Sequence, residues 1–388
     1  MKNFIKKILI FIISFFIKDK KFYYVNPSFL GAFVDMIYFK SVKEKITLIL
    51  DAKEILKKNP LININFFILA YEKINNKKFN FFENFINYLF FRITRYDKKY
   101  KNFFVNFSFH NNPEVFEVFK TLSNNKIISF GFNEKIKDKV ISDLTKKEIL
   151  LFHCRDASYK KKVFESDLSY HDYRNEDLRI YESAINKINK KKNYSTVRFG
   201  SIGEKKCQKE NEIFDYTFSK FRNQFNDIHL MKNCKIYIGT GSGPDTLALN
   251  FQKPIVFINW IHLPNLFTFQ NNIVAIFRKI YDKKKKKFLK FKDLLNLNFK
   301  LNKEATPVGL YYSSQQYQLN NLEVINNSED EIFYAVKEMI NYLDGRFNFD
   351  IKIQDKFREK YHKYNKNNIS NKFFISEYFI KKNLDLFS

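Results

Sequence analysis

Apolar residues in this chain cluster in short runs, and the runs switch between two spacings. Ile149–His153, Tyr194–Phe199, Ile236–Ile238 and Pro254–Asn259 are nearly continuous apolar stretches bounded by polar or glycine residues, the pattern of strands buried on both faces. Between them, Leu178–Ile188 places Leu178, Tyr181, Ile185 and Ile188 on one stripe at helical spacing, and Asp330–Leu343 reads as a helix that closes the region after Leu322–Ile325. Phe214-Asp215-Tyr216 and Ile228-His229-Leu230 flank a further helix-like segment. In the first half, Tyr23–Val25 and Ile46–Leu50 read as strands, and a helix opens near Phe29 after the turn Asn26-Pro27-Ser28. Ala52–Leu56 and Pro113–Leu122 read as helices, whereas Leu61–Ala70 and Phe79–Phe107 fit a strand or a helix. Arg346–Ser388 is basic and aromatic, either a crossover helix returning to the first domain or a loosely packed tail.

Strands and helices alternating at short intervals predict an α/β fold whose parallel sheet is covered on both faces. Ligands in such folds bind beyond the carboxyl ends of the strands. At 388 residues the chain is long for one domain. The pattern divides it into a segment 1–21, a first domain over 22–130, a second over 131–345 and a terminal piece over 346–388.

Charge and composition narrow the setting. Lysine plus arginine number 68 against 41 acidic residues, a formal net charge of +27 that favours anionic partners such as lipid headgroups or nucleic acid. The lysine runs Lys160–Lys162, Lys190–Lys192 and Lys283–Lys287 read as solvated faces and loops. The 47 phenylalanines and 23 tyrosines, with abundant Asn, Lys and Ile, carry the mark of AT-rich coding and weigh little as functional signals. Cys154, Cys207 and Cys234 form neither a close metal-ligand pair nor a disulfide framework, which fits a reduced compartment. No His/Cys/Asp cluster has metal-ligand spacing, so neither a metal nor a cofactor is expected. At the N-terminus, the apolar run Ile8–Ile17 sits between lysines and is too short to span a bilayer. It reads as a helix lying in the membrane interface, in preference to a first core helix, and it lacks the small-residue cleavage site of a signal peptide.

The candidate chemistry gathers at strand ends. Gly239-Thr240-Gly241-Ser242-Gly243-Pro244-Asp245 follows the Ile236–Ile238 strand and opens a helix. It is either a tight ligand-free turn or a place where backbone N–H groups meet phosphate; it matches neither the phosphate-loop nor the dinucleotide signature. Arg155 and Arg198 fall at the ends of neighbouring predicted strands, and two guanidinium groups beside that turn suit a diphosphate. Ser242 and Gly243 complete the expected phosphate contacts. Arg174, in the loop Tyr173-Arg174-Asn175, is a candidate polar contact to a donor beside Thr240 and Gly241 of the turn, and Asp245 is either favoured at the helix N-terminus or accepts from a ribose or sugar hydroxyl. His153 is either a core histidine or an acceptor-side base, and Asp156 either orients Arg155 or approaches substrate.

Cys154-Arg155-Asp156, Tyr173-Arg174-Asn175, Tyr181, Val197-Arg198-Phe199-Gly200, Asp215-Tyr216, Phe225-Asn226-Asp227 and Ile238-Gly239-Thr240-Gly241-Ser242-Gly243 occur in that order. Together they resemble a family of bacterial glycosyltransferases linked to surface-carbohydrate synthesis, distantly similar to fucosyltransferases. The similarity covers mainly residues 149–260. It implies a GT-B-like architecture, two Rossmann-like domains facing a cleft, with acceptor bound by the first and nucleotide-sugar donor by the second. It also implies that Arg155 and Arg198 meet the donor phosphates and that Ser242-Gly243 lies near the nucleotide sugar.

The leading expectation is therefore a metal-independent glycosyltransferase. It would move a sugar from a nucleotide-diphosphate donor to a surface-glycan or lipid-linked acceptor, at an anionic membrane surface on the cytoplasmic face of the inner membrane. Its general base would come from His153, Asp156 or Asp35. The alternatives are a basic nucleic-acid-binding protein and a membrane-associated protein without catalysis. Lysines spread along the whole chain and the lack of a recognised module speak against specific nucleic-acid binding.

Overall fold

The computed structural model describes residues 21–24, 46–50, 78–94, most of 135–295 and 313–387, and a few residues near 70. Asp35, the N-terminal apolar run and the helices expected over Ala52–Leu56 and Pro113–Leu122 lie outside the described residues.

In the first half, β1 (Lys21–Tyr24) and β2 (Ile46–Ile49) pair in parallel. Helix α1 (Phe81–Thr94) packs beside them, which settles that part of the ambiguous aromatic stretch as helix. Asn80 Oδ1 accepts the Glu83 N–H at 3.0 Å, the short side chain at the helix entrance satisfying an amide that has no intrahelical partner. Phe22, Ile49 and Phe90 form a small buried cluster, and Tyr24 stacks on Phe91 with ring centroids 4.2 Å apart.

The larger unit begins with β3 (Ile149–Phe152), α2 (Ser158–Val163), α3 (Leu178–Asn189), β4 (Ser195–Arg198) and β5 (Phe214–Asp215). It continues through α4 (Gln224–Asn233), β6 (Cys234–Gly239), α5 (Gly243–Asn250), β7 (Ile255–Trp260) and β8 (Ile273–Phe277). A small antiparallel sheet follows, β9 (Lys279–Asp282) between β10 (Lys287–Phe288) and β11 (Leu322–Ile325). The chain ends with α6 (Glu329–Leu343), α7 (Ile351–Asn365), β12 (Phe373–Ile375) and α8 (Glu377–Lys382).

Seven strands form the main sheet in the order β12-β8-β7-β6-β3-β4-β5, and every pairing is parallel. From β3 the chain moves outward to β4 and β5. It then returns to lay β6 on the other side of β3 and runs outward again. That is the doubly wound order, and its reversal between β3 and β6 opens a crevice at their carboxyl ends. Strands β3 and β7 are buried along their whole length, as a sheet covered on both faces requires.

Helix α3 turns Leu178, Tyr181, Ala184, Ile185 and Ile188 inward, and Asp177 caps it by accepting the Arg179 N–H at 3.0 Å. Helix α6 starts with a reciprocal cap, Ser328 N–H to Glu331 Oε2 at 2.8 Å and Glu331 N–H to Ser328 Oγ at 3.3 Å. The sequence pattern is corrected at two places. Ile228-His229-Leu230 lies inside α4 rather than flanking it. Residues after Arg346 are no loose tail, because β12 pairs with β8 at the sheet's edge. The Gln354 amide closes that edge, donating to Ile375 O and accepting from Ile375 N at 2.9 Å each. A side-chain amide thus takes the place of the next strand.

Glu338 of α6 caps α8 from outside, accepting the Glu377 and Tyr378 N–H groups at 3.1 and 2.9 Å. Burial, reinforced by the nearby Glu377 charge, pushes its carboxyl up to about 7. The folded state then holds this proton more tightly than the unfolded chain does. Its contribution to stability is therefore present at low pH and is lost as pH rises from the usual carboxylate range through about 7. Glu338→Gln is expected to remove that part of the pH dependence, on the order of 2 kcal/mol, in urea titrations at a series of pH values.

Candidate functional site

The site is built on the loops that leave β3, β6 and β8. After β3, the backbones of Arg155 and the α3 entrance are joined twice: Arg155 N–H donates to Glu176 Oε2 at 3.0 Å, and Glu176 N–H donates to Arg155 O at 3.0 Å. The Glu176 carboxylate is fully buried and also accepts from the Thr240 hydroxyl, the Tyr181 hydroxyl and Arg278 Nη2, the last at 3.3 Å. Arg278, just past β8, also donates Nη1 to the Tyr173 carbonyl and Nη2 to the Arg174 carbonyl, the latter at 2.9 Å. One carboxylate and one guanidinium therefore tie the loops after β3, β6 and β8 to the turn carrying Arg174. Neither residue is marked in the sequence. Glu176 looks like an ordinary acid before a helix, and Arg278 like a surface cation.

The glycine-rich turn is organised by Asp245, which is completely buried. Its carboxylate accepts the Tyr237 hydroxyl and the Ser242 N–H at 2.8 Å each, with the Gly241 and Thr240 amides bonded to it as well. Burial raises its carboxyl to about 6 against the pull of those donors. Asp245, expected to contact the nucleotide or its sugar, has its oxygens occupied by its own loop. The loop amides are likewise turned onto Asp245 rather than outward to a phosphate. Thr240 spends its hydroxyl on Glu176.

Gly239 is required by this packing: a Cβ there would stand 2.6 Å from Tyr237 Cε1 and closer still to Asp245 Oδ1. Gly239→Ala is expected to cost about 1–3 kcal/mol by overpacking, measured by chemical denaturation. Gly241 adopts φ +74°, a conformation suited to glycine, over the ring of Trp260. Its carbonyl accepts from Arg174 Nη2. Ser242 sits at the mouth of α5 with Gly243 opening the helix.

The two strand-end arginines have opposite surroundings. Arg198 is buried and compensated: Nη1 donates to the Lys205 carbonyl and, at 3.3 Å, to Asp215 Oδ2, while Nη2 lies 3.9 Å from Asp156 Oδ2. The Phe218 ring covers it, 5.7 Å from the guanidinium carbon to the centroid. The residue expected to meet donor phosphate is thus engaged in ion pairs with the fold. Asp156 is also occupied, accepting from Ser158 N–H and, at 2.8 Å, Glu204 N–H, and it anchors the start of α2. His153 donates Nδ1–H to the Phe199 carbonyl at 2.8 Å, and burial lowers its pKa. Because a carbonyl only accepts, Nδ1 carries a proton, and the neutral form that burial favours has its lone pair on Nε2.

Arg155 has no comparable partner: its Nη1 is buried without a hydrogen bond. Burial and then the neighbouring Arg174 charge lower its pKa to about 9. Lys160, in a run that reads as a solvated face, turns inward with a side chain 11% exposed while Lys161 points out. Burial, followed by Arg155, lowers it to about 8, with Asp172 Oδ1 opposing at 3.5 Å. His171 is held neutral, at about 3, by burial and then by Arg174, Lys160 and Arg155. Arg155, Lys160 and Arg174 therefore gather positive charge beside the neutral His171. No metal-binding cluster of acidic, histidine or cysteine side chains is found among the described residues, and none of their helices is long and apolar enough to cross a membrane.

No protein-family model matches the chain, and no curated protein matches it. Among solved structures, it is similar to ADP-heptose LPS heptosyltransferase II of E. coli, at 13% identity and a TM-score of 0.36, over 66% of this chain and 90% of that one. It is also similar to a family 9 glycosyl transferase from Veillonella parvula, at 12% identity and a TM-score of 0.41, over 84% and 98% of the two chains. Likenesses this distant leave the functional reading to rest on the site itself.

Proposed function

We propose that the protein is a glycosyltransferase that takes its sugar from a nucleotide-diphosphate donor. The observation that carries this reading is the Arg155 guanidinium, whose buried Nη1 has no hydrogen-bond partner, set beside Arg174 at the crevice where the doubly wound sheet reverses. Negative charge grows on the departing diphosphate as the glycosidic bond breaks. Cations already in place stabilise it without reorganising, and they suit a reaction that needs no divalent ion. Arg174, fixed by its bond to Gly241 and by Arg278 on its carbonyl, supplies the second cation beside the turn. Neutral His153 fits the base that accepts the acceptor hydroxyl's proton.

The wider reading is of a GT-B-like molecule in which the first domain holds a surface-glycan or lipid-linked acceptor. The protein would lie on the cytoplasmic face of the inner membrane, attracted by its positive charge and by the interfacial N-terminal run.

Thermal-shift and hydrolysis measurements with UDP-, GDP-, dTDP- and CMP-sugars test this reading. At least one diphosphate sugar is expected to stabilise and be turned over, with the monophosphate CMP donors inert. Stabilisation by single-stranded oligonucleotides and by none of the sugars would refute it.

A further inference from the structure

Helix α1 is laid inside out over its first turns. Its buried side includes Asn84, Asn87 and Thr94, whereas Phe81, Phe82 and Phe85 are 71%, 74% and 56% exposed. At helical spacing Phe81, Phe82, Phe85, Leu89 and Arg92 share one face, and Glu83 falls toward the buried side. Hydrogen bonds fix this orientation. Asn84 donates Nδ2–H to Leu50 O at 2.5 Å and accepts the Leu50 N–H at 2.9 Å, which sets the rotation of the helix against the end of β2. Farther along, Phe90 packs on Phe22 and Phe91 on Tyr24. The outer rings are braced as well: the buried Tyr71 ring meets Phe79 edge-on at 4.8 Å, and Phe79 meets Phe81 edge-on at 4.8 Å. Phenylalanines turned to water above buried asparagines run against the hydrophobic effect, and a partner that covers the rings removes that cost.

We infer that this face of α1 docks on an anionic lipid bilayer, with Phe81, Phe82 and Phe85 entering the headgroup region. Charge selects that occupant. Lys78, 93% exposed, stands just ahead of the rings, and its pair with Glu72, at 3.5 Å, is a surface one that leaves the charge available. Arg92 closes the same face, its guanidinium over the Tyr88 ring at 6.0 Å. The sequence from Glu72 to Lys101 carries eight lysines and arginines against three acidic residues. Apolar rings rimmed by cations match the interface of an anionic bilayer. A second copy of the chain fits less well. The three rings together expose about 400 Å², roughly half of the ~800 Å² that each partner gives to a stable protein interface, and two such faces would set like charges against each other. The inference deepens the membrane-side reading by adding an anchor within the folded first domain, separate from the N-terminal run and from the donor site.

The test is co-sedimentation of the full chain with phosphatidylcholine vesicles, with and without phosphatidylglycerol, in the absence of any nucleotide sugar. Wild type is expected to bind the vesicles that contain phosphatidylglycerol, and more weakly as salt is raised. The double substitution Phe82→Ser, Phe85→Ser should weaken that binding by about tenfold or more at an unchanged thermal midpoint. Phe288→Ser, which removes a 41% exposed ring on β10, should leave it unchanged. A separate Phe82→Trp chain reports the contact directly: brominated lipid should quench its added emission, since Trp260, the chain's own tryptophan, is 6% exposed. Vesicle binding that the double substitution leaves intact, or Phe82→Trp emission that brominated lipid leaves unquenched, overturns the docking face and keeps the membrane-side reading. Wild type that binds no vesicle overturns both. A dimer in sedimentation equilibrium that the double substitution dissociates gives the face to a second copy and also overturns the inference. Donor binding is measured apart from all of these, by nucleotide titration.

Discussion

Arg198→Ala is expected to cost roughly 3–5 kcal/mol of folding stability, the usual result of removing one partner from a buried ion pair. The guanidinium satisfies the Lys205 carbonyl, pairs with Asp215 and lies against Asp156 and Phe218. Its removal leaves the half-buried Asp215 carboxylate with the Cys207 N–H, at 2.8 Å, and the Cys207 thiol as donors. Urea denaturation measures the loss directly. A protein stable enough to be purified, assayed below its new midpoint, should still bind the diphosphate, because Arg198 makes no part of the open cation cluster. A variant of unchanged stability that fails to bind would reverse the assignment.

Arg155→Leu should do the opposite. Its guanidinium carries a buried N–H with no partner, and burial and the Arg174 charge outweigh the attraction of Glu176, so the fold gains little from its charge. Replacing buried ionic groups by well-packed apolar side chains is often neutral or stabilising, by about 1–4 kcal/mol. Diphosphate affinity should fall by about a hundredfold, since a charge-assisted bond is lost and the remaining cations repel without a central ligand contact. The two substitutions form a double dissociation: one arginine holds the fold and the other waits for an anion.

The sequence makes these two residues look alike, and the reason is physical. Each is an arginine at the carboxyl end of a buried parallel strand, and the apolar runs of β3 and β4 place both there. What separates them is Asp215, brought alongside Arg198 by β5, a pairing the local pattern does not contain. Asp245 is a similar case. An acid in the first turn of a helix reads equally well as a ligand contact or as a capping residue, and the choice depends on Tyr237 and on the turn amides. Glu176 and Arg278 stand 102 residues apart and meet only because β8 joins the sheet beside β7. Lys160 differs from Lys161 only in the face of α2 that it occupies.

The fold was more legible than the site because β3, β6 and β7 are long enough and apolar enough to announce themselves. The exceptions are short. Strand β12 spans Phe373–Ile375 within a basic, aromatic stretch and exists through its pairing with β8 and the Gln354 amide. Lys283–Lys286 lie in an exposed turn, bent by Asp282 accepting the Lys284 and Lys285 N–H groups, and Lys287 begins β10.

The most direct test of the donor site is calorimetric titration of UDP, GDP and dTDP against the wild-type chain and Arg155→Leu, with thermal midpoints recorded on the same samples. One nucleoside diphosphate is expected to bind the wild type and to lose about a hundredfold in affinity in the variant, whose midpoint stays level or rises. Equal binding by both proteins, or a variant that loses binding only because it has lost its fold, would contradict the account.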